Sequence, residues 1–134
     1  MSSHDGLAIW HDYIANSHGS PEALARILHD DCVFHSPVVH TPQHGKAIVM
    51  AYLTAAGGTL GQSSFNYVRE MADGPHVLLE FTAEMDGIHV NGIDLLTFDE
   101  DGLITDFKVM VRPLKAVNKV WEQMAAMLQR MQPD

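Results

Sequence analysis

Residues 79–86, Leu-Glu-Phe-Thr-Ala-Glu-Met-Asp, alternate apolar and polar side chains without a break, and no other feature of the chain constrains its fold as much. Successive side chains of a strand point to opposite faces, so this run has to be a strand with one buried and one polar face. The same period of two continues on either side. Phe65–Met71 reads as one strand, His89–Phe98 as another after a turn at Asp86-Gly87, and Leu103–Arg112 as a third after the turn Asp99–Gly102. Pro113 ends it.

Upstream the period is helical. Leu7, Trp10 and Ile14 share a stripe with Tyr13 beside it, which predicts a helix over 7–17. Ser20-Pro21-Glu22 is a helix start: a capping hydroxyl, proline at the first helical position, and an acid near the positive end of the helix dipole. That helix is expected to carry Leu24, Ile27 and Leu28 inward and to fade at Asp30-Asp31. Cys32–Ser36 reads as a short strand stopped by Pro37, and 37–45 as a loop. A third helix is expected from Lys46 to Ala56, packing Ile48, Val49, Tyr52 and Leu53 and ending at Gly57-Gly58. A last helix over 115–131 places Val117, Val120, Trp121, Met124, Leu128 and Met131 on one stripe. Helices followed by hairpins predict an α+β domain, with helices on one face of a curved antiparallel sheet and an extra helix at the C-terminal end. With 134 residues and no repeat or linker, residues 1–134 are read as a single domain.

Composition narrows the function classes. The chain is 46% hydrophobic, enough for a core. Its formal charge of −9, from 17 acids against 8 bases, leaves no basic stripe for nucleic acid or an anionic membrane surface. No apolar run reaches membrane-spanning length. Cys32 stands alone, so no intrachain disulfide forms, and a chain without a leader pattern at Met1–Gly6 is expected in the cytoplasm. There is no phosphate-cradling glycine loop and no nucleophile elbow. His35, His40 and His44 lack the tight spacing of a zinc site, so neither a metal nor another cofactor is expected.

The alternation also sorts the candidate chemistry. Leu79, Phe81, Ala83 and Met85 should meet the helices, as should Phe107, Val109 and Val111. The opposite face then carries Glu80 and Glu84 with Lys108 and Arg112, placed to pair across strands, beside Met110. Such a face suits a homodimer contact. Asp94 breaks the pattern, falling on the same side as Leu96 and Phe98. An unpaired carboxylate on an apolar face is costly, so its pKa should rise, and a neutral acid there can donate a hydrogen bond or move a proton. Satisfaction by a backbone N–H or by His89 is the plainer reading. Asn91-Gly92 suggests a bulge that could re-aim Asp94.

The order Tyr13…Asp30-Asp31…Phe34-His35-Ser36-Pro37-Val38…Gly45-Lys46-Ala47…Gly92-Ile93-Asp94 resembles the nuclear transport factor 2-like superfamily over nearly the whole chain. That group includes ketosteroid isomerases, SnoaL-type polyketide cyclases and limonene-epoxide hydrolases. The resemblance implies a cone-shaped, cystatin-like bent sheet capped by helices, a pocket between them, and commonly a homodimer through the outer sheet face. By likeness to the ketosteroid isomerases, Tyr13 and Asp94 would be the oxyanion-binding pair, a case used as a general illustration of a carboxyl kept neutral. The aspartate base of those enzymes corresponds to Ser36 here, which argues against steroid isomerisation. Asp94 alone could serve as acid and base, as a single acid is thought to do in the cyclases. The reading is a protein that holds a small apolar molecule, either an isomerase, cyclase or dehydratase or a non-catalytic binding or dimerisation module. Tyr13, Asp94 and Ser36 are its candidate catalytic groups. Trp10, Phe34, His40, Tyr52, Phe81 and Ala83 are its candidate ligand contacts, with Met85, Leu96, Phe107, Val109 and Val111.

Overall fold

The computed structural model describes residues 3–17, 20–60 and 64–131. Its helices are α1 (Ser3–Ser17), α2 (Pro21–Ile27), α3 (Lys46–Leu60) and α4 (Leu114–Met131). Its strands are β1 (Leu28–His35), β2 (Gln43–His44), β3 (Asn66–Asp73), β4 (His76–Met85), β5 (Ile88–Phe98) and β6 (Ile104–Arg112), joined in one sheet in the order β2-β1-β6-β5-β4-β3. The class is α+β. The long hairpins β3–β4, β4–β5 and β5–β6 are antiparallel, and β1 lies parallel to β6. α1 packs on β3 and β4, α3 on β1, and α4 on α3, β5 and β6.

Local chemistry accounts for most boundaries. The Ser20 hydroxyl accepts the Ala23 N–H at 3.2 Å, with Pro21 at the start of α2. The β4–β5 turn uses Asp86 and Gly87, both at positive φ (51° and 80°), the two-residue geometry that matches strand twist. Some expectations are corrected. α2 stops at Ile27, and Leu28, expected in the helix, is already extended and paired with Ile104, because joining β6 buries Leu28 completely. Part of the expected loop, Gln43-His44, pairs with β1. α3 continues through Gly57 and Gly58 to Leu60; glycine weakens a helix by about 1 kcal/mol but does not forbid it. On α4 the buried stripe is Ala116, Val120 and Met124, one residue out of phase with Trp121, which is half exposed. The expected side chains of Leu128 and Met131 lie outside the described residues.

The alternation holds across the sheet. Val77, Leu79, Phe81, Ala83 and Met85 of β4 are buried, as are Val90, Leu96 and Phe98 of β5 and Ile104, Phe107 and Val109 of β6. They join Trp10, Tyr13, Phe34, Val49, Val120 and Met124 in one core. No bulge occurs at Asn91-Gly92, where the register with β4 and β6 is continuous; the shift falls at Thr97/Phe98 instead. Gly92 serves close packing. A Cβ there would stand 2.6 Å from the Met110 carbonyl oxygen and 2.6 Å from the Phe81 ring. Gly92→Ala is therefore expected to cost roughly 1–3 kcal/mol, as overpacking of so close a contact does. Urea unfolding would show this as a lower midpoint at unchanged slope; an unshifted midpoint would mean that β5 and β6 part at no cost.

Candidate functional site

Asp94 sits on the inner face of β5, opposite Leu79 of β4 and Val109 of β6. It is the one buried charged residue of the described core, with 8% of its surface accessible. The Tyr67 hydroxyl donates to Asp94 Oδ2 at 3.0 Å, and the Trp10 indole N–H donates to the Tyr67 oxygen at 3.0 Å. Three elements thus meet on one carboxyl: α1 through Trp10, β3 through Tyr67 and β5 through Asp94. The Trp10 ring also lies edge-on to Phe107 at 5.4 Å, so the indole reaches from β3 to β6 over the strands between them. At the rim, His11 of α1 pairs with Glu70 of β3 at 2.6 Å, a second tie between helix and edge strand.

Burial pushes the Asp94 carboxyl up from 3.8 to about 7, and the Tyr67 hydrogen bond opposes the rise. Desolvation wins, as expected where a single donor faces the loss of a full hydration shell. The Tyr67 phenol is raised as well, chiefly by burial and then by the charge of Asp94, so it remains a proton donor near neutrality. A carboxyl that is partly neutral and partly ionised at pH 7 can give a proton or take one.

The partner of Asp94 differs from the sequence reading. Tyr13 is buried with its ring 5.2 Å from that of Trp10, while the phenol on Asp94 is Tyr67. His89, the alternative partner, is exposed and pairs in register with Glu84 on the outer face. The signal for Tyr67 was its place in the strand 65–71, but strict alternation would put Met71 on the same side. A register shift between Tyr67 and Arg69 separates them, leaving Tyr67 opposite Phe81 inside and Met71 opposite Leu78 outside. The Ser36 hydroxyl accepts the Val38 N–H at 3.2 Å, closing the turn after β1. His35 faces outward and bonds Asp106 at 2.8 Å; His40 and His44 are exposed. Among the described residues, no group of three or more His, Cys, Asp or Glu side chains is placed to hold a metal.

The expected apolar contacts gather on the inner side. Phe34, Phe81, Ala83, Met85, Leu96, Phe107 and Val109 are buried, and Val111 and Tyr52 pack against them. The Phe34 ring stands 5.2 Å from Tyr52 and 6.0 Å from Phe107. On the outer face the expected Glu80–Arg112 pairing is indirect. Arg112 donates to the Asn91 oxygen at 2.8 Å, Asn91 donates to Glu80 at 3.0 Å, and Glu80 also faces Arg69 at 3.5 Å. Asn91, directly opposite Arg112 in the register, intervenes. A groove of about 500 Å³ lies on this face, lined by Met71, Ala72, Asp73, His76, Leu78 and Leu95.

Comparison with known proteins settles the family. Residues 10–107 match the SnoaL-like domain. The chain belongs to this family, within the nuclear transport factor 2-like superfamily. It is similar to a steroid delta-isomerase from Pseudomonas aeruginosa, at 38% identity and a TM-score of 0.86, over 96% of this chain and 92% of that one. It is also similar to a protein with a cystatin-like fold from Silicibacter pomeroyi, at 31% identity and a TM-score of 0.80, over 92% and 84% of the two chains. A nuclear transport factor 2-like protein of unknown function from Mesorhizobium loti shares the fold at 19% identity and a TM-score of 0.69, over 83% and 93%. No curated protein matches the chain.

The state of Asp94 has a measurable consequence for stability. Between about pH 4 and pH 7 the folded protein keeps a proton on Asp94 that the unfolded chain has released. Stability therefore falls as pH rises through this window and levels off above it. Asp94→Asn lacks that loss. It should be more stable than the parent by roughly 2–4 kcal/mol at pH 8, at about 1.4 kcal/mol per tenfold in proton affinity, with the gap closing toward pH 4. Denaturant melts of both proteins across pH 4–8 measure the gap; a pH-independent difference would place Asp94 in water.

Proposed function

We propose that the inner face of the sheet holds a small, largely apolar molecule bearing a carbonyl or similar acceptor oxygen, and that the chain is an enzyme of isomerase or cyclase type that moves a proton on it. The observation that carries this reading is the carboxyl of Asp94, set among apolar side chains, tied to Tyr67 and poised near neutrality. In the ionised form Asp94 takes a proton from carbon next to the carbonyl. The neutral form then returns it at another atom of the same ligand, so the proton count closes on one residue. The likeness to a steroid delta-isomerase supports a ligand of fused or extended hydrocarbon character.

Ser36 favours a second reading. By the sequence resemblance it corresponds to the aspartate base of the isomerases, and its hydroxyl accepts the Val38 N–H. A binding module on the same scaffold would need no base. A thermal-shift screen of cyclic and polyketide-like ketones, followed by assays of the parent and Asp94→Asn, separates the two. The enzyme reading expects Asp94→Asn to lose about 10²–10⁴-fold in turnover with modest change in binding. Binding without turnover in the parent selects the module, and turnover indifferent to Asp94→Asn sinks the catalytic assignment.

The proposed partner on the outer face is a second copy of the chain. Met71 and Met110 are half exposed there, flanking the charged Arg69–Glu80–Asn91–Arg112 row and the groove. Apolar patches framing paired charges suit a self-complementary two-fold contact. Sedimentation at micromolar concentration should give a dimer, and Met110→Glu or Leu95→Asp a monomer. A parent protein that sediments as a monomer rules this contact out. The placement of the chain in a reducing cytoplasm is part of the same proposal, in keeping with the buried free thiol of Cys32.

A further inference from the structure

We propose that Trp10 is a positioning residue that fixes the direction of the Trp10–Tyr67–Asp94 hydrogen-bond chain, and so makes Oδ1 of Asp94 the oxygen that meets the ligand. This rests on the reading of Asp94 as the working acid of the inner face. The proton inventory of the three groups sets the direction of the chain. An indole N–H can only donate, and a phenol has one proton and accepts through its lone pairs. Trp10 Nε1 lies 3.0 Å from the Tyr67 oxygen, so Tyr67 has to accept from it. The phenol's own proton is left for Asp94 Oδ2, at 3.0 Å, with no other acceptor for it among the described residues.

Each end of the chain follows. Because Oδ2 receives the Tyr67 proton, the proton of neutral Asp94 resides on Oδ1. The described residues place no hydrogen bond on Oδ1, and no fully enclosed side-chain oxygen or nitrogen among them lacks a partner. The accessible fraction of Asp94 therefore includes Oδ1. A ligand meets an O–H donor there when Asp94 is neutral and a basic lone pair when it is ionised, with the negative charge steadied at Oδ2. This selects molecules with an acceptor oxygen or an acidic C–H at that point over pure hydrocarbons. Were Trp10 absent, the Tyr67 oxygen would be open to accept the proton of neutral Asp94, the bond could reverse, and the carboxyl would lose its only fixed donor among the described residues.

The titratable groups around this chain are the Tyr13 phenol on α1, its ring 5.2 Å from Trp10, His11 on α1 and Glu70 on β3, paired with each other at the rim, and Asp12, exposed on α1. β4 and β6 contribute Leu79, Phe81, Phe107 and Val109, and α4 contributes Ala116, Val120 and Met124, all apolar. The chain has only two tryptophans, Trp10 and the half-exposed Trp121, so the Trp10 indole resonance is assigned with Trp121→Phe. In the free protein this N–H signal should shift over pH 5–9 with the midpoint of the Asp94 carboxyl carbon. The shift should persist in His11→Gln, which removes the neighbouring imidazole as its source, and vanish in Tyr67→Phe and Asp94→Asn. Trp10→Phe should raise the Asp94 midpoint by roughly half a pH unit or more, as loss of a cooperative donor would. A tryptophan that only packs would show none of this. A Trp10 signal flat across the Asp94 titration, or still titrating in Tyr67→Phe, overturns the proposal even in the unmutated fold. If the Trp10 signal follows Asp94 while no ketone binds or turns over, the functional reading fails and the relay stands. If ketones depend on Asp94 and the Trp10 signal is indifferent, the relay alone fails.

Discussion

The burial of one carboxyl organises the inner side of this protein. Leaving an ionised acid among Leu79, Leu96 and Val109 costs several kcal/mol, while a hydrogen bond to a charged group returns about 1.5–3 kcal/mol. One phenol cannot hold Asp94 fully ionised at neutral pH, and none is needed to hold it fully neutral. The balance raises the carboxyl from 3.8 to about 7, with burial outweighing the Tyr67 hydrogen bond. Moving α1 away would take the Trp10 donor off Tyr67, so helix seating and the hydrogen bonding of the site are linked. Gly6 of α1, where a Cβ would fall 2.6 Å from the Phe98 ring, shows how closely that helix sits on the end of β5.

The two faces of β5 divide the labour. Gly92, Asp94 and Leu96 look inward; Asn91, Ile93 and Leu95 look outward, the first into the Glu80–Arg112 network. Because side chains alternate strictly, a one-residue slip of β5 would exchange the two sets and place Ile93 or Leu95 where the carboxyl belongs. The continuous pairing with both β4 and β6, together with the tight fit at Gly92, opposes that slip. The outward network, by bridging β3, β4, β5 and β6, locks the register on which the inward geometry rests.

Much of this was legible in the sequence because alternation is a local signal. The unbroken run 79–86 and the place of Asp94 beside Leu96 and Phe98 gave the faces of β4 and β5, and the order of helices and hairpins gave the class. What escaped depended on contacts distant in the chain. The early start of β1 at Leu28 comes from pairing with Ile104, and nothing in residues 28–31 themselves announces it. Tyr67 escaped because a register shift beside Val68 reverses the alternation within β3, so the same strand sends Tyr67 inward and Met71 outward. Trp10 is legible as a helix-stripe residue and a candidate ligand contact; its indole N–H acquires meaning only once Tyr67 is known to accept from it. The half-exposed Trp121 shows the converse error, a large apolar side chain assigned to a stripe one position out of phase.

The serine at position 36 bears on why Asp94 is tuned as it is. A two-residue scheme divides the work between a low-pKa base and a high-pKa acid, and each can then sit far from neutrality. Here the residue after β1 is a hydroxyl that accepts the Val38 amide, and on the proposed reading one carboxyl would serve both duties. A single group that must both accept and return a proton works best when its two forms are similarly populated, which requires a pKa close to the working pH. Burial alone would overshoot that point. The Tyr67 donor, which accepts from Trp10, opposes the overshoot, so the Tyr67 hydrogen bond bears on the pKa of the site as well as on its shape.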